Sequence, residues 1–475
     1  MVLKLHLNIL VSGFLGFVFQ CKLEIREEKK VWQVGSLTYT SSGLVVLFCW
    51  LLWGDFAWSL KERAVPSVVQ LLLKKFEATD LIAGLLIGAL PAGIAMILGP
   101  IISYKSDHHR GSWGRRIPYL LIPTPIAVFS MGGMAFSPQL GIWMHKSFLF
   151  FSTEMQAILF CFGFFWTLFE FASITANSVF GGLVNDVVPH CVLGRFYALF
   201  RALSLIAGMI FNFWLLGQAE TYFAWIFIGI GLIYGVGFSV MCFKVREGDY
   251  PPAPPVQGEK TGITRFDEAT RQYLKDCFGK SYFILYFLTM AVSVMAFNPI
   301  NFYSVFFAKS IDMSMEFFGR CMAMTFLISL VISYPLGVLA DRFHPLRIGL
   351  IAMLLYAIVT LCGGLFVKDS NTFGLALIAH GVLSGAWLTA TASLGQRLLP
   401  PEKFTQLVAA AGIVTCLCSI VVAPVTGFLL DLTHHTYRYT FQISFFLSLL
   451  ALAIGLELYR QFMQRGGPEH YRTPE

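Results

Sequence analysis

Twelve runs of about 20 mostly apolar residues follow one another along this chain, and that is the length an α-helix needs to cross a hydrocarbon layer of roughly 30 Å. They fall at approximately 41–60, 80–104, 117–138, 155–184, 195–217, 223–243, 282–307, 317–340, 347–367, 373–398, 404–430 and 439–460. In lipid the backbone must satisfy its own polar groups, so runs of this kind become helices. The expected fold is therefore all-α, a polytopic membrane protein with 12 transmembrane helices in two six-helix halves. Composition agrees: 56% of the 475 residues are hydrophobic, mean hydropathy is +0.69, and 13% are charged, against roughly 25% in an average soluble protein.

The longest polar interval, 244–280, separates six runs from six. Its Pro-rich start reads as a linker, and "TRFDEATRQYLKDCF" (264–278) as a short amphipathic helix at the membrane surface. The expected organisation is an N-terminal segment 1–35, a bundle 36–243, a linker 244–281, a second bundle 282–460 and a tail 461–475. Leu5 to Cys21 is apolar but has no small-x-small cleavage pattern and is not counted as a span, while "REEKK" (26–30) reads as the lead-in to the first helix.

The net charge of +7 forms no single patch. With the N-terminus inside, 25 of the 34 Lys and Arg fall on the inner side, including 105–116 and 195–201. The positive-inside rule then places both termini in the cytosol, in the plasma (inner) membrane, and the charge reports topology rather than nucleic-acid binding. The ten Cys lack paired metal-ligand spacing, and most sit in apolar runs. The doublets His108-His109 and His434-His435 read as solvated loop histidines. No metal and no cofactor are expected.

The two halves repeat their punctuation. After the second run comes "GPIISYKSDHHRGSWGRRIPYLL" (99–121), with seven Lys, Arg, Asp or His between Lys105 and Arg116; after the eighth comes "PLGVLADRFHPLRIGL". Asp107 with Gly114, Arg115 and Arg116, and Asp341 with Arg342, are expected to form charged latches at the cytosolic rim, broken as the bundle rocks.

These stretches resemble the helix 2–3 loop of the major facilitator superfamily and its degenerate copy. Gly99, Ser106, Asp107, Trp113, Gly114, Arg115, Arg116 and Pro118, with "PSVVQLL" (66–72), resemble more closely the sucrose/proton symporter and glycoside-pentoside-hexuronide group. The resemblance implies an acidic residue in the fourth helix 16 residues before an Asp, which Glu170 and Asp186 match. It also implies Gln, Gly, Pro and Arg where this chain carries Asn177, Ser178, Val179 and Gly181.

Ionisable groups inside spans are costly and normally face a cavity or a partner. Helical stepping from Thr167 through Glu170, Ser173, Asn177 and Ser178 draws a polar stripe on a Phe-rich helix. A carboxyl there can take up and release a proton as a cavity opens to alternate sides. For "WGDFAWSLKERAVPSVVQLLL" two readings stand. The helix ends near Leu60, leaving "KER" outside, or it continues to about Leu73 and puts Asp55, Ser59, Glu62 and Arg63 on one face, with Gly54 and Pro66 as bend points. Asn298 with Asn301, and His380 with Ser384, Trp387 and Thr391, offer amides, hydroxyls and an aromatic face of the kind a sugar site uses. Proton coupling is thus expected at Glu170 and Asp55, and solute binding at Ser173, Asn177, Glu62, Arg63, Asn298, Asn301, His380 and Trp387.

The function expected is secondary active transport of a small polar solute, a sugar or glycoside, with a proton, by a monomer in the lipid bilayer. The alternatives are a transporter-like sensor or pigment-handling scaffold, and an intramembrane enzyme. No Walker-type, H-E-x-x-H or G-x-S-x-G motif is present, so neither ATP-driven nor hydrolytic chemistry is indicated.

Overall fold

A computed structural model of the chain describes residues 31–147, 151–250, 271 and 273–473. The apolar stretch 5–21, the segment 26–30 and the Pro-rich linker start lie outside the described residues, as does most of the first half of the surface helix expected over 264–278. Residues 271 and 273–278 of that helix are helical.

Twelve long helices follow: α1 Ser41–Lys75, α2 Asp80–His108, α3 Ile117–Ala135, α4 Glu154–Val187, α5 His190–Ile210, α6 Ala219–Lys244, α7 Ser281–Ser310, α8 Met315–Phe343, α9 Pro345–Phe366, α10 Ser370–Leu398, α11 Phe404–Leu432 and α12 Tyr439–Gln464. By length and apolarity, eleven stretches among the described residues qualify as spans, and one of these, His190–Lys244, is 55 residues long. A straight helix of that length would measure about 80 Å. It instead reverses through a π turn at Phe211–Leu215 and a 3-10 turn at Leu216–Gln218. Side-chain contacts show the reversal. α5 runs parallel to α1, with Phe48 on Phe196 and Arg63 on Ser204; α6 runs antiparallel to it, with Lys244 over Trp50 and Tyr234 beside Trp58.

The first helix is the long one. Thr40 caps it by accepting the Gly43 N–H at 3.1 Å, and the helix passes through Gly54 and Pro66 without ending. "KER" is therefore inside the span. Before it, Val31–Val34 (β1) and Leu37–Thr40 (β2) form an antiparallel hairpin closed by Gly35-Ser36, with Gly35 at φ +55°. The sequence reading had placed only a lead-in here. A Gly at the first position of a two-residue turn supplies the positive φ that the twist of a hairpin demands.

The main pairings of the six long helices in the first half recur six helices on. α1 packs on α5 and α6 as α7 packs on α11 and α12; α3 packs on α4 and α6 as α9 packs on α10 and α12; α2 on α4 mirrors α8 on α10. The halves meet where α2 packs on α11, α5 on α8 and α1 on α7. Among the described residues, every hydrogen bond and ion pair that crosses between the halves lies toward one end. That end carries Asp80, Glu220, Lys309 and Tyr437. At the other end, which carries Arg115 and Arg397, the ion pairs found among the described residues join side chains on the same side of the divide, Arg115 and Arg116 to Asp186 and Asp107, and Arg397 to Asp341. The Arg115 end is thus parted and the Asp80 end closed.

Candidate functional site

A cavity of about 510 Å³ opens beside α1 and α5, near the middle of both, and is lined by these two helices of the first half. Asp55, Ser59, Glu62 and Arg63 line it from α1, the single face that helical spacing predicts once the helix runs through Pro66. Tyr197, Phe200, Arg201 and Ser204, at i, i+3, i+4 and i+7, line it from α5. Arg201 had been counted among the basic residues of the inner side, near the start of the run 195–217. It lies deeper in the helix than that, because α5 begins at His190. Arg63 donates to Ser204 Oγ at 3.3 and 3.4 Å and lies 5.4 Å from the Phe326 ring of α8, so it touches both halves. Asp55 is 6% exposed, and its Oδ2 has no hydrogen-bond partner.

The feature sequence reasoning passed over is Lys61. Its ammonium is fully buried, 2.8 Å from Glu62 Oε1 and 2.8 Å from Ser173 Oγ. It sits 3.9 Å from the Trp58 ring centroid, 4.9 Å from Tyr234 and 5.2 Å from Phe169. A lone ammonium in a span is expensive, and here three aromatic faces, a hydroxyl and a carboxylate replace its hydration. A charged triplet inside an apolar run was the available signal, readable only once the helix was known not to stop at Leu60. Glu170 on α4 lies within electrostatic reach of both Lys61 and Glu62. The α4 stripe therefore divides: Ser173 is taken by Lys61, Asn177 is exposed, and Thr167 and Ser178 bond back to their own helix.

In the second half His380 is 2% exposed and held from both sides. One ring nitrogen is 2.9 Å from Tyr356 OH and the other 3.0 Å from Asn301 Oδ1. The Asn301 carbonyl accepts from Gln70 of α1 at 3.0 Å, which extends this chain of hydrogen bonds across the halves. Asn298 is half-buried and donates to Met295 Sδ at 3.6 Å. Trp387, expected as a sugar platform, is instead 3% exposed and edge-on to Phe297 at 5.6 Å. It presents no face to the cavity, because this side of α10 is buried against α7 and α9.

The rim residues form a knot confined to the first half. Arg116 pairs with Asp107 at 2.6 Å, and Arg115 grips Asp186 with two nitrogens at 2.6 and 3.0 Å. Glu247, not anticipated, accepts the backbone N–H groups of Arg115, Arg116 and Ile117 at 2.9, 2.8 and 2.7 Å. It thereby satisfies the orphan donors at the start of α3. Gly114 has φ +93°, and a Cβ there would meet the Glu247 carboxyl at 2.5 Å. Asp341 pairs with Arg397 at 2.7 Å, and Arg342 is exposed beside Phe343. Asp107→Arg is expected to slow transport severalfold while leaving solute affinity unchanged, because it puts a third cation beside Arg115 and Arg116. Parallel uptake and equilibrium-binding measurements check this, and normal uptake would refute it.

At the closed end His435 lies in an exposed turn, as expected of a solvated loop histidine, yet it also bonds to the other half. Its Nδ1 is 2.6 Å from Asp80 Oδ2, while Tyr437 OH donates to Asp80 Oδ1 at 2.9 Å. Asp431 of α11 accepts the N–H groups of Asp80 and Leu81, both at 2.9 Å, capping α2 from the opposite half. Donor atoms of Asp80, Asp431 and His435 fall within 4.8 Å of one another, a spacing that could hold a metal. Each is already engaged in this hydrogen-bonded clasp.

A twelve-helix duplicated bundle, closed at one end around a mid-depth cavity, is matched by a family model. The sequence model of the Major Facilitator Superfamily matches residues 171–421 and 285–462. The chain belongs to the major facilitator superfamily. Solved transporters of this fold superpose on it. A bacterial homologue of the human lysosomal transporter Spinster, inward-facing and unoccupied, has a TM-score of 0.63 at 12% identity, covering 91% of this chain and 98% of that one. The xylose transporter XylE from E. coli, inward-open, gives 0.65 at 12% identity, covering 87% and 96%. A D-xylose-proton symporter gives 0.62 at 15% identity, covering 91% and 98%. A search of curated protein sequences finds no match. In this superfamily member the candidate site is the cavity beside α1 and α5, from which Arg63 reaches Phe326 of the other half, and Lys61, Arg201, Ser204 and Tyr197 join the residues that sequence singled out.

Proposed function

We propose that the protein is a secondary transporter that carries a small polar solute, a sugar or glycoside, together with a proton. The observation that supports this reading most is the grouping of Asp55, Glu62 and Arg63 on a mid-depth cavity, with Glu170 in electrostatic reach. Ionisable groups at that depth are costly and normally face a cavity or a partner, and a water-filled path gives these carboxyls protons to exchange. Similarity in fold to a xylose transporter and a D-xylose-proton symporter favours a sugar, and the Gly114-Arg115-Arg116 and "PSVVQLL" motifs favour the sucrose/proton symporter group. With both termini cytosolic in the plasma membrane, the parted Arg115 end faces the cytosol and the halves rock about the cavity. The carrier acts as a monomer of two bundles, 36–243 and 282–460.

The test is the pH of a weakly buffered suspension of energised cells expressing the protein. Adding solute from a sugar panel is expected to alkalinise the medium, with a stoichiometric uptake of label. Uptake of a sugar with no pH change would refute proton coupling.

A further inference from the structure

The charges around the cavity are unevenly answered. Lys61 is neutralised at contact distance by Glu62. Arg63 and Arg201 are not: among the described residues neither has a carboxylate at ion-pair distance, and the only hydrogen-bond acceptor found for either is the Ser204 hydroxyl. Both are far from the ends of their helices. Arg63 is 12 residues short of the end of α1 and Arg201 is 11 residues into α5, depths of about 17–18 Å at the rise of an α-helix. A guanidinium in a span normally pairs with an acid, with backbone carbonyls or with a ligand. Two of them, close enough for their charges to interact and lining one open cavity with Tyr197 and Ser204, make a donor-rich wall; the carboxylates on that cavity, Asp55 and Glu62, act on Arg63 from beyond ion-pair distance.

We infer that Arg63 and Arg201 bind an oxyanion on the transported solute, a carboxylate or phosphate group, so that the cargo is an acidic rather than a neutral sugar derivative. Planar guanidinium forks match such groups with paired hydrogen bonds. The charge count fits the coupling. Asp55, Glu62 and Glu170 stand against Lys61, Arg63 and Arg201, three of each sign. One proton added to Asp55 or Glu170 leaves one positive charge over, and one oxyanion balances it. Proton and monoanion then cross together without net charge, which spares the loaded carrier the cost of moving a charge through the membrane field. This inference rests on the sugar-transport reading for the rest of the solute, and on the two arginines for the anion.

The experiment uses the full-length protein purified in detergent, with thermal stabilisation and equilibrium binding measured for two matched pairs, gluconate against sorbitol and glucose 6-phosphate against glucose, and for lactate as an anion without a sugar body. At least one acidic sugar is expected to bind roughly thirtyfold more tightly than its neutral partner, the loss typical of deleting one member of a buried charged hydrogen bond. Arg201→Gln, whose side chain is exposed to the cavity, should erase that preference without lowering the melting temperature of the empty protein. Arg63→Lys should weaken it while keeping the charge. Equal binding of acidic and neutral partners, unchanged by Arg201→Gln, would overturn the anion site and leave the sugar reading standing. Arg201-dependent binding of lactate as tight as that of the acidic sugars would do the reverse. Binding of none of the five would overturn both.

Discussion

Glu170→Gln is expected to abolish uphill accumulation and to leave solute exchange intact. Gln keeps the volume and hydrogen-bonding capacity of Glu but carries no exchangeable proton, so the variant loses the driving force without losing the binding surface. The position favours this outcome. Glu170 is half-buried on Phe-rich α4, near Lys61 and Glu62; a change there alters the charge of the site directly. Reconstituted vesicles with an imposed pH gradient measure the accumulation ratio, expected to fall to about one, and unlabelled solute on the far side measures counterflow, expected to persist. Uphill uptake at full rate would remove Glu170 from the coupling path. Asp55→Asn in the same assay asks whether the second carboxyl, whose Oδ2 is buried without a partner, shares the role.

Gly427→Leu is expected to trap the carrier away from the conformation described here. At the closed end the halves touch backbone to backbone. A Cβ on Gly427 would stand 2.2 Å from the Asp80 carbonyl oxygen and 2.6 Å from Tyr303 OH, while one on Gly88 would stand 2.3 Å from the Ala423 Cβ. Small residues allow that approach between helices in a membrane. A leucine cannot be accommodated by rotamer change, because the obstructing atoms belong to the backbone and to a buried tyrosine. The halves must part, and Tyr303, Tyr437 and His435 lose their bonds to Asp80. Overpacking of this kind costs about 1–3 kcal/mol, enough to shift a two-state equilibrium by roughly five- to 150-fold. A cysteine at Gln70, in a background freed of native cysteines, reports the shift through labelling by an impermeant maleimide from the Asp80 side. Faster labelling and lost uptake are expected; unchanged labelling would show that the clasp does not hold the halves.

The cavity shows how far a linear reading reaches. Asp55, Glu62 and Arg63 could be set on one face because they share a helix and a period of 3.6 residues fixes their directions. Their neighbours Tyr197, Arg201 and Ser204 come from α5, more than 130 positions away, and nothing in spacing says which side of α5 meets α1. His380 and Asn301 were selected separately for their chemistry, yet that they bond each other, and that Trp387 is turned into the packing, depends on how α7, α9 and α10 are rotated. The clasp is the same case. His435 is an exposed turn residue, and that it meets Asp80 and Asp431 depends on how α2 and α11 come together.

Apolar run lengths, the cost of an unpaired backbone in lipid and the repeat of charged turns were enough to set the number of helices and the two halves, and the motif from Gly99 to Pro118 carried the resemblance to the family, since each is a local or one-dimensional property of the chain. Which end is shut, which charges are paired and which are left facing water came from contacts between helices distant in sequence. Those contacts depend on the shapes and rotations of packed surfaces, and periodicity carries no information about the partner a surface will meet.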